Sequence, residues 1–242
     1  MLCHKLTFPA DKKLYYCGDL HGCYDLFMSK LDSIGFNKEE DVLICTGDLI
    51  DRGEQNVECL ELMDEPWFFT VSGNHEDMAL KAILEPSEQD DHWRLWMYNG
   101  GSWYIDFGGT DDLLYVRELI KKTVLLPHVL EIQHGDKKVV VCHADWPSKQ
   151  YPYSSSNVNN EHVTFSDPNR SDIADFTQNI IWSRDRYYRW EAQWDDFDVI
   201  EGADAFVFGH TPVSRPTSFG NQHYIDTGAV FTGELTIKEL DL

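Results

Sequence analysis

Residues 47–53, Gly-Asp-Leu-Ile-Asp-Arg-Gly, place two carboxylates and a guanidinium directly after a short apolar run at residues 42–45. That run, Val-Leu-Ile-Cys, predicts a buried strand, and residues 54–63 have a helical pattern. The loop between them therefore follows the carboxyl end of a strand, where open α/β sheets usually bind ligands. Taken alone, an aspartate after a strand-ending glycine is more often a turn residue than a metal ligand.

The same pattern of strand, glycine-containing loop and helix occurs twice more in the first third of the chain. Residues 14–17 run into Gly-Asp-Leu-His-Gly at 18–22, and residues 67–71 run into Gly-Asn-His-Glu at 73–76. Three successive units that each end in glycine and metal-competent side chains are improbable by chance. We therefore expect one shared site.

The second half of the chain is predicted to contain mostly strands. Residues 134–137 supply turn chemistry for a hairpin between two of them. The predicted strands are residues 129–133, 138–142, 205–208, 223–226 and 235–238. Because alternating strands and helices precede these runs, we expect an α/β (α+β) fold in which two sheets pack together with helices outside.

Length and composition limit the kind of protein. The 242 residues are 42% hydrophobic and contain no repeat or linker, which predicts a single domain over residues 1–242. A formal net charge of -22 disfavours nucleic acid as a partner, and a phosphate substrate would need a locally positive pocket. Without a signal peptide or a membrane-spanning stretch, we expect a soluble, cytoplasmic protein with reduced cysteines that pack as small hydrophobes.

Two regions are less regular. Residues 85–127 carry acidic clusters and many aromatic side chains, which favours a helical insertion whose rings mostly pack in the core, with a substrate-facing cap as the alternative. Residues 146–172 are polar and rich in serine, asparagine and proline, which predicts a long exposed loop, with a lid as one role left open.

Oxygen and imidazole donors follow the predicted strand ends. Such a set, without thiolate, suits manganese, iron or zinc and excludes a structural cysteine-type zinc site. The carboxylate of Asp48 has two oxygens and can bridge two ions, which at roughly 3.5–4 Å apart form the clamp used for in-line phosphoryl displacement. The candidate ligands are Asp19, His21, Asp48, Asn74, His143 and His210.

The chain resembles the phosphoprotein phosphatase family of binuclear metallophosphoesterases over nearly its whole length. The resemblance rests on residues 18–22, 47–53, 73–76, 143–145 and 209–211, with further likeness at 56–62, 181–186 and 224–231. It implies a two-sheet β-sandwich flanked by helices, with the active site at the carboxyl ends of strands. It also implies two divalent ions, Mn²⁺ first with Fe or Zn as alternatives, and phosphorylated protein or peptide substrates.

The activity implied by this resemblance is hydrolysis of phosphoserine and phosphothreonine esters by a water or hydroxide that bridges the metals, with phosphotyrosine left open. Asp48 would be shared between the two ions. His75 would be the general acid, oriented by Asp51, while Arg52 and Arg184 would clamp the phosphate. One ion would be held by Asp19, His21 and Asp48, and the other by Asp48, Asn74, His143 and His210.

Several alternatives remain open at this level. Arg184 could form only a surface salt bridge, in which case Arg186 would take its role. A symmetrical dinucleoside tetraphosphatase shares the ligand pattern, although Asp51 before Arg52 and Glu76 after His75 are of the protein-phosphatase type. A nuclease would be expected to carry a second histidine after Gly-His, and an inactive phosphoprotein-binding scaffold would not need the full donor set. The oligomeric state and the physiological substrate are not predicted.

Overall fold

The computed structural model of the protein describes residues 2–84, 91–148, 151, 163–164, 170–193 and 199–240. In these residues the strands are β1 (Leu2–Phe8), β2 (Leu14–Cys17), β3 (Val42–Cys45), β4 (Phe68–Thr70), β5 (Val129–His134), β6 (Lys137–Cys142), β7 (Val163–Thr164), β8 (Ala205–Phe208), β9 (Thr217–Phe219), β10 (Gln222–Tyr224) and β11 (Ile237–Lys238). The helices are α1 (Tyr24–Ile34), α2 (Asn56–Glu61), α3 (Asn74–Leu84), α4 (Asp91–Tyr98), α5 (Leu113–Lys122), α6 (Arg170–Trp182), α7 (Asp185–Glu191) and α8 (Ala229–Thr232). Short 3-10 segments lie at Leu62–Asp64, Gly101–Phe107 and Thr123–Leu125.

The strands form two sheets. The larger has the order β7-β1-β5-β6-β8-β10-β9, and the smaller has the order β11-β2-β3-β4. In the smaller sheet β2, β3 and β4 are parallel, and in the larger sheet β6, β8 and β10 are parallel. The carboxyl ends of parallel neighbours open on the same edge of a sheet, so the loops that follow these strands lie close together.

Strand β3 shows how the two sheets share a core. Val42 and Ile44 belong to the apolar cluster between the sheets, which also contains Val139 of β6. Leu43 and Cys45 belong to a second apolar cluster, which contains residues of α1 and α5. Successive residues of a strand point to opposite faces, and a strand covered on both faces is apolar throughout. This double burial explains why the apolar run at residues 42–45 predicts the strand so clearly.

Helices cover the outer face of each sheet. Phe27 of α1 and Leu119 of α5 pack in the cluster on the smaller sheet, and Ile180 and Ile181 of α6 pack with Phe206 on the larger one. No helix in the part of the chain that the structure describes is both long and apolar enough to cross a membrane.

The predicted two-sheet α/β architecture is confirmed, with differences at the sheet edges and near the termini. The sequence pattern misses β1 and β9. Strand β1 has a polar centre, His4-Lys5, and pairs in parallel with β5, far along the chain, so its local sequence carries little signal. The predicted closing strand at 235–238 is shorter than expected, since β11 covers only Ile237–Lys238.

The two irregular regions differ in how much of them is described. The predicted helical insertion contains α4, a 3-10 segment and α5, while residues 85–90 lie outside the described residues. Within the predicted loop at 146–172, β7 is a short strand and α6 begins at Arg170, so part of that prediction is wrong. Most of the remaining loop, residues 149–150, 152–162 and 165–169, lies outside the described residues.

Candidate metal centre

The six predicted ligands all follow carboxyl ends of strands that open on one edge of the two sheets. Asp19 and His21 follow β2, Asp48 follows β3, and Asn74 follows β4 and begins α3. In the larger sheet, His143 directly follows β6, and His210 follows β8 after one intervening residue. None of the six is more than 6% exposed.

Four of these side chains converge on one point. The Nε2 atom of His143 lies 3.2 Å from Asp48 Oδ2, 3.0 Å from Asn74 Oδ1 and 3.2 Å from His210 Nδ1. Asp48, His143 and His210 are also one of two groups, among the residues described, whose ligand atoms lie within 4.8 Å of one another.

Backbone carbonyls determine which imidazole nitrogens point into this group. His143 Nδ1 donates to Thr46 O at 2.7 Å, and His210 Nε2 donates to Trp182 O at 3.1 Å. The opposite nitrogen of each ring therefore presents a lone pair to the other ring and to the oxygens of Asp48 and Asn74. Lone pairs that face one another at this distance need a cation between them, so the donor chemistry fits a metal ion.

Electrostatics distinguish the two imidazoles. Burial lowers the pKa of His210 to about 2, which leaves its ring neutral. Burial also opposes protonation of His143, but the Asp48 carboxylate outweighs it and raises the pKa of His143 above its usual value. A proton or a metal cation can thus compensate the same buried carboxylate.

A second group contains His21, Asp48 and His75, whose ligand atoms also lie within 4.8 Å of one another. His21 Nδ1 donates to Ile50 O at 2.9 Å, so its Nε2 lone pair is directed to the site, 3.6 Å from Asp48 Oδ2. Burial lowers the pKa of His21 to about 3, which keeps this ring neutral. Arg52 Nη1 donates to the same Nε2 at 2.6 Å, so a cation at His21 requires the guanidinium to turn away.

Asp19 lies beside these groups rather than within either of them. Its oxygens accept hydrogen bonds from Thr46 Oγ1 at 2.9 Å and from the backbone N–H of His210 at 2.8 Å. Burial, and then the nearby carboxylates of Asp226 and Asp48, raise the pKa of Asp19 well above its usual value. Such a concentration of buried carboxylates favours a divalent cation.

His75 forms the closest contact with Asp51. The distance from His75 Nδ1 to Asp51 Oδ2 is 2.6 Å, while His75 Nε2 lies 3.9 Å from Asp48 Oδ2. The sequence places no metal on His75, and its grouping with His21 and Asp48 makes it a possible ligand as well. Its role as a general acid stays a prediction.

The backbone of the site is held in an uncommon conformation. Positive φ angles are rare for residues other than glycine and concentrate at functional sites, where the surrounding structure must enforce them. Among the described residues other than glycine, those with positive φ are His21 (44°), Asp48 (49°), Asp51 (77°), Arg52 (73°), His210 (60°) and, away from the site, Gln193 (57°).

Glu76 enforces the conformation of two of the loops. Its Oε1 accepts a hydrogen bond from Leu49 N at 2.7 Å, and its Oε2 accepts from Asp48 N at 3.0 Å and Gly73 N at 2.8 Å. Burial, followed by the Asp48 carboxylate, raises the pKa of Glu76 to about 7. The position of Glu76 directly after His75 is typical of the family, but the sequence does not indicate this supporting role.

We expect Glu76→Gln to weaken metal binding without removing any ligand. The amide group places N–H donors against backbone N–H donors, so at least one of them loses its acceptor, at a cost of about 1–3 kcal/mol in the free energy of unfolding. Metal affinity should fall by roughly 10–100-fold, as for other partners that orient ligands. Urea unfolding and metal titration measure both effects. Glu131→Gln, at a buried glutamate paired with Lys5, is the control and should leave metal affinity unchanged.

Two glycines give the carboxylates room. A Cβ atom at Gly73 would collide with Asp48 Oδ1, and one at Gly209 would collide with Asp19 Oδ1. Both glycines directly precede predicted ligands, and this close approach explains why glycine accompanies the donors in these motifs.

A cavity of about 200 Å³ opens over the donors and is lined by both predicted phosphate-binding arginines, Arg52 and Arg184. Arg184 Nη2 donates to His210 O at 3.0 Å, and its buried Nε has no hydrogen-bond partner among the residues that the structure describes. The other residues around the cavity are His21, Asp48, Asn74, His75, Asn99, Trp182, His210, Pro212, Asp226, Gly228 and Phe231.

Arg186, the predicted substitute for Arg184, is engaged elsewhere. Its Nε donates to Asp145 Oδ1 at 3.0 Å, and its Nη2 donates to Trp146 O at 2.7 Å and Ser148 O at 3.0 Å. It does not line the cavity over the donors. Of the two arginines, only Arg184 is placed to meet a ligand there.

The sequence interpretation did not single out Asp226 as a site residue. This carboxylate is 3% exposed, lines the cavity, and accepts a hydrogen bond from Gly228 N at 2.8 Å. It follows β10 by one intervening residue, as His210 follows β8, so its position after a strand end is the signal that could have identified it.

The comparison with known proteins agrees with this geometry. The sequence pattern of the calcineurin-like phosphoesterases matches residues 12–214. The chain belongs to the calcineurin-like phosphoesterase family. This match, together with relatives named serine/threonine-protein phosphatases at 31–38% identity, confirms the resemblance to the phosphoprotein phosphatases.

Individual relatives of this phosphoesterase differ in how much of it they match. Serine/threonine-protein phosphatase 2 of Salmonella typhimurium is 38% identical over 229 residues, which cover 95% of this chain and 93% of that protein. A symmetrical bis(5'-nucleosyl)-tetraphosphatase of Haemophilus ducreyi is 44% identical over only 72 residues, 29% of this chain and 26% of that protein. A protein serine/threonine phosphatase from Saccharomyces cerevisiae shares the fold, with a TM-score of 0.53 at 16% identity over 92% of this chain and 70% of that one.

Proposed function

We propose that this phosphoesterase is a metal-dependent protein serine/threonine phosphatase. The observation that carries the proposal is the convergence of imidazole nitrogens on the Asp48 carboxylate, directly below a cavity lined by Arg52 and Arg184. A site of this kind binds cations on one side and an anion on the other, as phosphomonoester hydrolysis requires. The near full-length match to a serine/threonine-protein phosphatase supports the substrate class.

Two divalent ions fit the donor set, with Mn²⁺ as the first candidate and Fe or Zn as alternatives. When bound, they would polarise the phosphate and make water nucleophilic at neutral pH. Asp48 would contact both, because it is the carboxylate common to the two groups of ligand atoms. Asp19 and His21 would complete one site, and Asn74, His143 and His210 would complete the other.

The remaining residues would bind the phosphate and move a proton. Arg52 and Arg184 would donate to the phosphate oxygens, where charge is redistributed in the transition state. His75, held by Asp51 at Nδ1, would donate a proton from Nε2 to the departing alkoxide of serine or threonine.

A symmetrical dinucleoside tetraphosphatase is the second candidate, favoured by the short match to such an enzyme. Turnover should be measured with Mn²⁺ on phosphoserine, phosphothreonine and phosphotyrosine peptides and, in parallel, on diadenosine tetraphosphate. We expect the highest kcat/KM on the phosphoserine or phosphothreonine peptide. A higher kcat/KM on the dinucleotide would instead identify the second candidate as the function.

Arg184→Ala should weaken phosphate binding and leave the metal content intact. Loss of hydrogen bonds to a charged group costs roughly 1.5–3 kcal/mol, so kcat/KM should fall by about 10–100-fold and inhibition by inorganic phosphate should weaken. Elemental analysis and steady-state kinetics test this, with the exposed Arg215→Ala as the control.

Arg186→Ala tests which of the two arginines binds phosphate. Since Arg186 pairs with the buried Asp145, its loss should lower stability while the phosphate inhibition constant stays near the wild-type value. If phosphate inhibition weakens in Arg186→Ala but not in Arg184→Ala, the assignment of the clamp is wrong.

A further inference from the structure

The carboxylate of Asp51 is fully buried and is held by ring N–H donors. Besides His75 Nδ1, Trp103 Nε1 lies 2.7 Å from Oδ1, and Trp96 Nε1 lies 3.0 Å from both oxygens. In the described part of the chain, no lysine or arginine forms an ion pair with Asp51. These N–H donors therefore stabilise the charge of the buried carboxylate. A buried carboxylate without such partners would be costly.

The two indoles come from the helical insertion, one from α4 and one from the 3-10 segment Gly101–Phe107, and both are fixed in place. Trp96 of α4 is fully buried, and its ring packs edge-to-face against Trp93 and Trp103, with ring centroids 5.6 and 6.3 Å away. Gly101 allows this close packing, because a Cβ there would lie 2.6 Å from the Trp96 ring. The rings therefore present their N–H groups in a fixed direction, and an indole nitrogen can only donate.

We propose that Trp96 and Trp103 are positioning residues that aim Asp51 at His75. The indoles occupy lone pairs of the carboxylate, mainly on Oδ1, and leave Oδ2 directed at His75 Nδ1. His75 Nε2 is then directed toward Asp48 and the cavity. Asp51 needs this support, because its φ of 77° is an unfavourable conformation that the surroundings must enforce. This inference rests on the proposed function, since it assigns the support of the general acid within that site.

Trp103→Phe is the principal test, because it keeps an aromatic ring and removes the N–H donor, and the Trp67→Phe control loses the same ring volume. We expect kcat on a phosphoserine peptide to fall by roughly 10–100-fold, the range for loss of an orienting partner at a metal site. On p-nitrophenyl phosphate, whose leaving group needs little protonation, the loss should be smaller, and the metal content should be unchanged. Trp96→Phe should act in the same direction. Trp67→Phe is the matched control, since Trp67 Nε1 donates to Glu65 Oε2 at 2.7 Å outside the site.

A double-mutant cycle with His75→Asn distinguishes positioning from packing. If the indoles act through His75, adding Trp103→Phe to His75→Asn should cause no further leaving-group-dependent loss. An equal loss on both substrates in Trp103→Phe, or a full additional loss in the double variant, would overturn the positioning role.

A measurement that needs no turnover separates this inference from the proposed function. The Nδ1–H proton resonance of His75, identified by its absence in His75→Asn, should shift or broaden in Trp103→Phe and remain in place in Trp67→Phe. An unmoved resonance in Trp103→Phe would overturn the positioning role even if the phosphatase activity is present. A shifted resonance in an enzyme without phosphoprotein turnover would support the positioning and contradict the proposed function.

Discussion

Asp48→Asn is expected to lose both metal ions together. Asp48 Oδ1 accepts the backbone N–H of His75 at 3.0 Å, and an asparagine carbonyl can keep that hydrogen bond. The amide NH₂ would then replace Oδ2, which lies 3.2 Å from His143 Nε2 and 3.6 Å from His21 Nε2. It would donate to these lone pairs and occupy the position that both cations need, with no negative charge to attract them. The fall in metal affinity should exceed the roughly 10–100-fold cost of losing an outer partner.

Elemental analysis after dialysis, together with circular dichroism to confirm folding, measures this effect. Asp41→Asn is the control, because Asp41 is also buried but accepts a hydrogen bond from Asn37 N away from the site. Two tightly held ions per chain in folded Asp48→Asn would show that Asp48 does not bridge them.

His75→Asn is expected to keep both ions and to lose turnover according to the leaving group. The alkoxide of phosphoserine needs a proton as it leaves, so loss of a general acid should slow this substrate by roughly 10²–10⁴-fold. p-Nitrophenolate is a stable anion, so p-nitrophenyl phosphate should be much less affected when chemistry limits both rates. Asp51→Asn should show the same pattern more weakly, because Asp51 holds the imidazole by a 2.6 Å hydrogen bond and does not itself donate to substrate.

Metal analysis and pre-steady-state kinetics on both substrates decide this prediction. His223→Asn is the control, since His223 contacts Ser218 Oγ away from the cavity. Loss of an ion from His75→Asn would make His75 a metal ligand, in agreement with its grouping with His21 and Asp48. An equal slowing of both substrates would make it a phosphate-binding residue.

The sequence alone identifies the candidate ligands because each one follows a strand end by a few residues. A run such as residues 42–45 is apolar on both faces, so both the strand and the point where it stops are visible in the sequence. Parallel neighbours then bring their carboxyl ends together, and the structure places His143 and His210 of the larger sheet beside Asp48 and Asn74 of the smaller one. Strand β1 is missed because pairing with the distant β5, rather than its own sequence, stabilises it, and β9 is missed because it is only a three-residue edge strand beside β10.

Only the tertiary structure decides which residues support these candidate ligands. Trp96 and Trp103 donate to Asp51 from 45 and 52 residues away, and Glu76 accepts N–H groups from a loop 27 and 28 residues before it. Likewise, the sequence cannot separate Arg184 from Arg186, two residues later, whereas the Asp145 carboxylate retains Arg186 and leaves Arg184 at the cavity. Such contacts depend on side-chain direction and on the packing of distant elements. Local periodicity reports where a chain forms strands and helices, but it does not report which side chains meet across them.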